Sequence, residues 1–479
     1  MEIDWAELSE QATRALREDR LAEAVALFER IVELVPEAGN NWFNLGYAKR
    51  GARDFDGALA AYSKALRVGG LGEPQAAHVN RAIIFKDDLG QNREAERELR
   101  KALRIAPNDQ HAWFNLGLLY ETEGRKEDAR AAHQRAVAAD PLCAPAHARL
   151  GTLEEDPERA VALLVAALRR GVFPGEGASA IEFSLANALD RAGRYDEAFM
   201  VVTKANARKA AMRRPQFRYD PAAHAALVDA LIAAYPDRPS GRAEHGDLRP
   251  IFMCGLFRSG STLCENRLAR HPRIAAGGEL DAIPLMVRDE LQPYPAAAVQ
   301  LGTDKRGALR EAYLAALDRV DRRAAHVSDK RSDNFLHLGL IKTLFPGAPI
   351  VHTARDLLDV AVSTYFLDFA EHFGHTTRLE DIAHYLGQYR RLMDHWAGVF
   401  GDDIVTVQYE QMVVDPDAAL APVYSAWGLD AAAGASKRKA APVRTPSTWA
   451  VRGKLHTGSI DRWRNYERHL GPVREALGL

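Results

Sequence analysis

Hydrophobic and small residues recur every three or four positions along much of residues 1–212. The segment around Gly124 is the clearest example, because that glycine separates two such runs. The first run contains Trp113, Leu116, Leu119 and Tyr120, and the second contains Ala129, Ala132 and Ala136. This spacing puts each run on one face of a helix. The pattern therefore predicts helix pairs that pack closely through small residues.

The same part of the chain repeats itself. Trp42-Phe43-Asn44-Leu45-Gly46 recurs letter for letter as Trp113-Phe114-Asn115-Leu116-Gly117. Around these copies, units of about 34 residues span 41–70, 77–110 and 111–144, with weaker copies at 7–36, 145–177 and 178–212. Pro36, Pro107 and Pro141 follow second helices of the pairs.

These units resemble the tetratricopeptide repeat (TPR) family, whose aromatic, Leu-Gly, small-residue and closing Pro positions they match. The resemblance implies a stacked array with a concave groove that commonly holds peptides. Trp42 and Trp113 occupy a fixed place in the repeat, so we expect both to pack in the core rather than bind a ligand.

Beyond residue 212 the pattern changes to that of an α/β domain. Prolines and Gly241 mark looser connections, with one predicted helix at 222–235, and the second domain is expected to begin near Leu248. Residues 251–254 are predicted to form a buried strand, 255–260 a turn, and Ser261 onward a helix. Such a strand, glycine turn and helix bind anions through free backbone N–H groups and the helix dipole.

The turn differs from the nucleotide-binding pattern G-x-x-x-x-G-K-[ST], because Ser261 stands where the lysine should be. That lysine serves the outer phosphates of a nucleoside triphosphate, so its absence disfavours an ATPase or kinase. The positive charge lies instead within the turn, at Arg258. The segment Arg258-Ser259-Gly260-Ser261-Thr262 resembles the 5'-phosphosulfate loop of sulfotransferases, although Phe257 replaces the proline common there. The resemblance implies that these five residues bind PAPS (3'-phosphoadenosine 5'-phosphosulfate); an ordinary structural turn is the alternative.

Two further segments resemble sulfotransferases. A predicted strand at 349–354 is followed by Arg355 and, eight residues later, Ser363, a pair that holds the 3'-phosphate in that family. The segment 459–466 resembles the S-x-x-R-W-x-x-Y motif of bacterial members. Ser459, Arg452 and Lys454 are accordingly candidates for additional phosphate contacts. The structural alternative for the first segment is that Arg355 forms an ordinary salt bridge and Ser363 is solvated. The alternative for the second is that its aromatic residues form the core face of a helix.

Transfer of a sulfuryl group requires a base for the acceptor proton and positive charge at the leaving oxygen. Glu279 ends a loop similar to H-P-x-x-x-x-G-E of tyrosylprotein sulfotransferases, which implies that it is the base. Lys330 lies in a segment similar to D-K-x-P-x-N-F, with Ser332 replacing proline, and is implied to stabilise the bridging oxygen together with Arg258. His271 is the alternative base. Both Glu279 and Lys330 could instead be solvated surface residues.

Composition narrows the possibilities for partners and location. The 63 basic and 65 acidic residues give a formal charge of −2, which argues against nucleic acid or an anionic membrane as partner. Because there is no basic, apolar leader and no apolar run of about 18 residues, we expect no membrane span and a cytoplasmic location. His372 and His375 lack an acidic cluster nearby, and the chemistry needs no metal, so none is predicted.

The sequence therefore predicts an α + α/β protein. A TPR array spans 1–212, a linker with a helix spans 213–247, and a P-loop-like α/β sulfotransferase domain with a central parallel sheet spans 248–479. The implied activity is PAPS-dependent transfer to an acceptor hydroxyl with release of PAP, with a protein or peptide tyrosine held by the TPR groove as the favoured acceptor. A glycan or small metabolite as acceptor, a P-loop kinase, and a TPR scaffold with an inactive domain are the alternatives. The array could instead mediate homo-oligomerisation.

Overall fold

The computed structural model describes residues 5–241, 243–431, 433 and 457–479. Contacts within the chain divide it into two compact units, Met1–Ala188 and Leu189–Leu479. The predicted division at residues 212 and 248 stays a prediction, because compact units and sequence repeats are different properties of a chain. Within the described residues, no helix combines the length and apolar character needed to cross a membrane.

The first unit is built of helices in which sequence neighbours pack against each other. They are α1 (Trp5–Arg17), α2 (Leu21–Leu34), α3 (Gly39–Gly51), α4 (Phe55–Val68), α5 (Pro74–Ile83), α6 (Asn92–Ile105), α7 (Gln110–Glu123), α8 (Lys126–Ala139), α9 (Ala144–Leu153) and α10 (Pro157–Leu168), and the unit ends within α11 (Gly177–Arg191). A π-helical turn, Ile84–Asp88, follows α5. The predicted array of helix pairs is confirmed.

The repeated tryptophans make equivalent contacts in two copies. Trp42 donates its indole N–H to the carbonyl oxygen of Pro36 at 2.9 Å, and Trp113 donates to that of Pro107 at 2.8 Å. Each bond fastens the first helix of a pair to the turn before it. Both side chains are half-buried rather than fully buried in the core, so these bonds give them a structural contact. That neither tryptophan binds a ligand stays a prediction.

The glycine of the repeated Leu-Gly dipeptide permits close packing within a pair. A Cβ atom at Gly117 would lie 2.4 Å from Cε1 of His133, whose side chain on α8 is fully buried. No larger residue fits there without displacing the imidazole, which also pairs with Glu121 at 2.9 Å. This contact explains why a glycine stands at that place in the first helix.

The second unit is built around a sheet of five parallel strands in the order β2-β3-β1-β4-β5. The strands are β1 (Pro250–Gly255), β2 (Ile274–Ala276), β3 (His326–Lys330), β4 (Ile350–Ala354) and β5 (Ile404–Gln408). Every pairing is parallel, so the carboxyl ends of all five strands lie at one edge of the sheet. The predicted α/β fold with a central parallel sheet is confirmed.

Some helices of this unit pack on the sheet, and others pack against those helices. These helices are α12 (Tyr195–Met212), α13 (Pro221–Ala234), α14 (Ser261–Leu268), α15 (Ala282–Glu290), α16 (Ala296–Val299), α17 (Thr303–Asp321), α18 (Leu338–Leu344), α19 (Leu357–Tyr365), α20 (Leu379–Phe400), α21 (Tyr409–Val414), α22 (Pro416–Ala426) and α23 (Gly471–Leu477). A 3-10 helix, Arg462–His469, precedes α23 and is called here the C-terminal 3-10 helix.

Alternate residues of β1 enter two different cores. Ile251 and Met253 pack in a cluster with residues of α14 and α22. Phe252 points to the other face, where its ring contacts those of Tyr313 and Phe345 at 5.2 and 5.4 Å. All six residues of β1 are buried, as expected for a central strand of a parallel sheet covered on both faces.

Candidate functional site

The turn after β1 is held in shape by β4. Gly255 has φ +145°, and a Cβ atom there would lie 2.4 Å from the carbonyl oxygen of Thr353. The buried Ser259 hydroxyl donates to the carbonyl oxygen of Leu256 at 2.7 Å and contacts the Thr353 hydroxyl at 2.8 Å. These contacts fix the turn against the neighbouring strand.

The turn ends at the N-terminus of α14. Gly260, with φ +91°, precedes the helix, and a Cβ atom there would lie 2.5 Å from the Tyr409 ring. Ser261 and Thr262 are the first two helical residues, and Ser261 is buried. Because the first N–H groups of a helix have no intrahelical partner, this end of α14 is able to bind an anion.

The two predicted phosphate-binding segments meet at one place. The Arg258 Nε donates to the Ser363 hydroxyl on α19 at 2.9 Å. In the reverse direction, the Arg355 Nη1 donates to the carbonyl oxygen of Arg258, also at 2.9 Å. Arg258, Arg355 and Ser363 therefore line one site at the carboxyl edge of β1 and β4, as the binding of a single nucleotide by both segments requires.

Two guanidinium groups in this site favour a bound anion. Burial, followed by the neighbouring charges of Arg355 and Arg462, lowers the pKa of Arg258 to about 10. The Arg355 side chain is only 5% exposed and lies over the Tyr409 ring at 4.5 Å. Its Nε has no hydrogen-bond partner among the described residues. A negatively charged ligand would relieve the repulsion and supply that partner.

The C-terminal segment approaches the same site. Arg355 donates from Nη2 to the carbonyl oxygen of Ser459, so the backbone of Ser459 lies beside the arginine. The two other candidates from this part of the sequence, Arg452 and Lys454, lie outside the described residues. The phosphate-binding role of all three stays a prediction.

The candidate base and the candidate lysine form an ion pair. The Lys330 Nζ lies 2.5 Å from Oε1 of Glu279, with the lysine nearly buried and the carboxylate 46% exposed. Glu279 follows β2 and Lys330 ends β3, so both lie at the sheet edge that carries Arg258 and Arg355. The Lys330 N–H donates to the carbonyl oxygen of Gly278 at 2.8 Å. Lys330 is therefore not the solvated surface lysine of the alternative interpretation. Glu279 is exposed, so the solvated loop acid stays an alternative to its predicted role as the base.

The structure adds a buried carboxylate that the sequence analysis missed. Glu265 on α14 accepts hydrogen bonds from the Gly278 N–H at 2.9 Å and the Ser328 hydroxyl at 2.5 Å. Burial raises the pKa of Glu265 despite the nearby charge of Lys330. The sequence did contain one sign of its burial. Glu265 lies one turn after Ser261 and three residues before Leu268, which puts it on the buried face of α14.

Two other residues shape the site from elsewhere in the chain. Arg331 pairs with Asp281 at 2.7 Å and Asp333 at 2.8 Å, which holds the loop that carries Glu279. Tyr409, directly after β5, lies under Arg355 and against Gly260. Arg331 occupies a variable position of the segment around Lys330, and no local motif includes Tyr409, so neither residue could be selected from the sequence.

The residues that depart from the family pattern have local explanations. Phe257 packs edge-on against the rings of Phe369 and Phe373 at 5.7 and 4.9 Å, so an aromatic contact replaces the rigidity of proline. Ser332 begins a short 3-10 helix, Ser332–His337. Asn334 in that helix donates to the carbonyl oxygen of Met253 at 3.1 Å, which ties the segment after Lys330 to β1.

The histidines weighed as alternatives have structural environments. His271 accepts from the Arg273 N–H at 3.2 Å through Nδ1, and its Nε2 lies 3.2 Å from the carbonyl oxygen of Asp430. His375 is buried and stacks on Tyr385 at 3.9 Å. Among the described residues, no group of three or more His, Cys, Asp or Glu side chains is arranged to hold a metal ion.

Comparison with known families agrees with this arrangement. Residues 250–433 match the model of the sulfotransferase family, and residues 9–76, 86–142 and 154–210 match a tetratricopeptide repeat model. The chain thus carries TPR repeats followed by a sulfotransferase-family domain, which confirms the coarser part of both resemblances.

The individual proteins that match this chain have low sequence identity to it. An uncharacterized protein of Aquifex aeolicus (strain VF5) is 29% identical over an alignment of 389 residues, and the match covers 76% of this chain and 50% of that protein. The cytochrome c-type biogenesis protein CycH of Rhizobium meliloti (strain 1021) is 30% identical over 123 residues, which is 25% of this chain and 32% of CycH. The chain thus spans half or less of the length of these relatives.

The solved structures that match this chain also cover only part of it. MamA 41-end from Desulfovibrio magneticus RS-1 is 21% identical, with a TM-score of 0.30, and the match covers 35% of this chain and 96% of that one. The type IV pilus biogenesis factor PilW is 20% identical, with a TM-score of 0.35, and the match covers 42% and 92% of the two chains.

Proposed function

We propose that the chain is a sulfotransferase that transfers a sulfuryl group from PAPS to an acceptor hydroxyl and releases PAP. The observation that carries this proposal is the junction of the two phosphate-binding segments. Arg258 reaches Ser363 with its side chain, and Arg355 reaches the backbone of Arg258. One site therefore offers cations for the two phosphorylated ends of a single nucleotide.

The residues present fit such a donor. The turn 258–260 and the first N–H groups of α14 would hold the 5'-phosphosulfate, since a helix N-terminus binds anions of this kind. Arg355 and Ser363 would hold the 3'-phosphate, for which the unpartnered Nε of Arg355 is available. PAPS, when bound, supplies a sulfuryl group attached to a phosphate leaving group.

The remaining residues of the site supply proton transfer and charge. Glu279 accepts the proton of the acceptor hydroxyl, because its half-exposed carboxylate is reachable from solvent while Lys330 fixes its position. Lys330 and Arg258 place positive charge beside the leaving phosphate, where fixed charges lower the barrier most. Glu265 holds the Gly278 turn, and thereby the backbone next to the base.

A protein or peptide tyrosine is the acceptor that we favour. The support is the likeness of the Gly278-Glu279 loop to tyrosylprotein sulfotransferases, together with an array of a type whose grooves commonly hold peptides. A glycan or small metabolite is the competing acceptor, because TPR arrays also mediate assembly.

Turnover of ³⁵S-labelled PAPS tests the proposal. The full-length protein, with chelator present, should transfer label to a tyrosine-containing peptide and release PAP in equal amount. Label transferred to an oligosaccharide instead would keep the activity and change the acceptor class. Phosphoryl transfer from Mg-ATP without any use of PAPS would identify a kinase and refute the proposal.

A further inference from the structure

The donor site is connected to a residue outside the part of the chain that matches the sulfotransferase family, within the last stretch that matches the tetratricopeptide repeat. Asp190 lies in α11, before residue 250 where the sulfotransferase match begins. Its carboxylate accepts a hydrogen bond from the Tyr466 hydroxyl and pairs with Arg462 at 3.2 Å. Both partners belong to the C-terminal 3-10 helix. Asp190 thus fixes this helix by two of its side chains.

Tyr466 makes this attachment rigid. Its side chain is fully buried, and its ring packs against Phe366 at 4.9 Å and Tyr195 at 5.7 Å. Burial, with the bond to Asp190, raises the pKa of Tyr466, so the hydroxyl remains a donor at neutral pH. A part-buried hydrogen bond to a charged carboxylate is stronger than one between neutral groups, so it restrains the position of the Tyr466 hydroxyl.

The N-terminus of the same 3-10 helix is joined to the donor site through Asp359. The Asp359 carboxylate accepts from the Asp461 N–H and the Trp463 N–H, both at 2.9 Å. It also lies 3.7 Å from Nη2 of Arg355. The carbonyl oxygen of Ser459, just before the helix, accepts from that same Nη2. The position of the C-terminal 3-10 helix therefore determines two of the groups that orient Arg355.

We infer that Asp190 is a positioning residue of the donor site, which holds Arg355 in the orientation that distinguishes a 3'-phosphorylated adenosine nucleotide from one without that phosphate. The inference rests on the proposed function, because it concerns the same nucleotide. It extends the donor site beyond the residues that match the sulfotransferase family, to a helix within the last stretch that matches the tetratricopeptide repeat.

Calorimetric titration of PAP and AMP into full-length variants tests the inference. In Asp190→Ala we expect the ratio of PAP to AMP affinity to fall by about tenfold, the size expected when one charged hydrogen bond is lost. Tyr466→Phe removes the hydroxyl and keeps the ring and the net charge, so a smaller fall of the same ratio is expected. The double variant should lose no more than Asp190→Ala alone, because both changes break one connection.

Asp196→Asn is a matched control. Asp196 also joins a helix of this region to the C-terminal 3-10 helix, through Arg468, but its side chain is 64% exposed. If Asp190 acted only through its charge, Asp196→Asn would change the ratio similarly, and the positioning role would be refuted. An unchanged ratio in both Asp190→Ala and Tyr466→Phe would also refute it. If Asp190→Ala fails to fold, the ratio of PAP to AMP affinity in Tyr466→Phe alone tests the positioning role. A wild-type protein that binds PAP no better than AMP would instead refute the proposed function itself.

Discussion

Arg355 donates a hydrogen bond from Nη1 to the carbonyl oxygen of Arg258 at 2.9 Å, although 96 residues lie between them in the chain. The parallel pairing of β1 with β4 makes this contact, because it brings the residues that follow both strands to the same edge of the sheet. The two arginines that the sequence assigns to opposite ends of one nucleotide are therefore neighbours. Their proximity is the structural basis of the proposed donor site.

The first prediction concerns the proposed base. In Glu279→Gln we expect PAP affinity to stay within about twofold and the transfer rate to fall by about 10²- to 10⁴-fold, the range for loss of a general base. Calorimetry and the labelled-PAPS assay measure the two quantities. Glu290→Gln is a suitable control, since Glu290 is an exposed partner of Lys305 at the C-terminal end of α15. Unchanged turnover in Glu279→Gln would remove Glu279 from the mechanism.

The second prediction concerns Asp329, next to Lys330. Burial raises the pKa of Asp329 to about 7, and the carboxyl group accepts from the Tyr313 hydroxyl at 2.7 Å. Folding therefore favours the protonated form of Asp329. The contribution of this group to the free energy of unfolding is fully present below its unfolded-state pKa, about 4. It is lost as the pH rises through the folded-state pKa, about 7.

Asp329→Asn removes this titration while keeping a similar shape. We expect the Tm of the wild type, relative to that of Asp329→Asn, to decrease from about pH 4 to about pH 8. Thermal unfolding of both proteins over this range measures the difference. A difference in Tm that is independent of pH would show that Asp329 does not titrate in this way.

The third prediction concerns packing within the repeats. Gly117→Ala places a methyl group against the buried ring of His133, so we expect a loss of about 1–3 kcal/mol in the free energy of unfolding. Gly387→Ala is the matched control, because Gly387 also lies within a helix, α20, but has open space around its Cβ position. We expect Gly387→Ala to be neutral or stabilising by up to about 1 kcal/mol. Equal effects of the two substitutions in urea unfolding would contradict the packing explanation.

Local patterns predicted much of the fold. The exact repeat at Trp42 and Trp113 predicted the helix pairs, and the strand, glycine turn and helix around Gly260 predicted β1 and α14. These features depend on residues close in sequence, whose periodicity and turn chemistry are visible without the fold. The resemblance to sulfotransferases implied that Arg258, Arg355 and Ser363 bind one nucleotide, and the three residues are in contact in the structure. Their binding roles stay predictions.

The rest of the site depends on contacts between distant segments. Glu265 belongs to the site because the backbone N–H of Gly278 donates to its carboxylate. Tyr409 belongs to it because β5, which precedes this residue, pairs with β4. Asp190 lies in the weak repeat copy 178–212, which gives it no role in the donor site, and it is identified only by its contacts with Arg462 and Tyr466. Single-sequence patterns do not reveal such partners, since nothing in the local spacing encodes them.

The most direct test of the donor site is the binding of PAP, ADP and AMP to the full-length protein and to Arg355→Ala, without metal. We expect the wild type to bind PAP at least about tenfold more tightly than AMP, because Arg355 offers an unpartnered Nε to the 3'-phosphate. In Arg355→Ala this preference should disappear while the affinity for AMP is largely kept. Equal binding of PAP and AMP by the wild type, or an undiminished preference for PAP in Arg355→Ala, would contradict the assignment of this site.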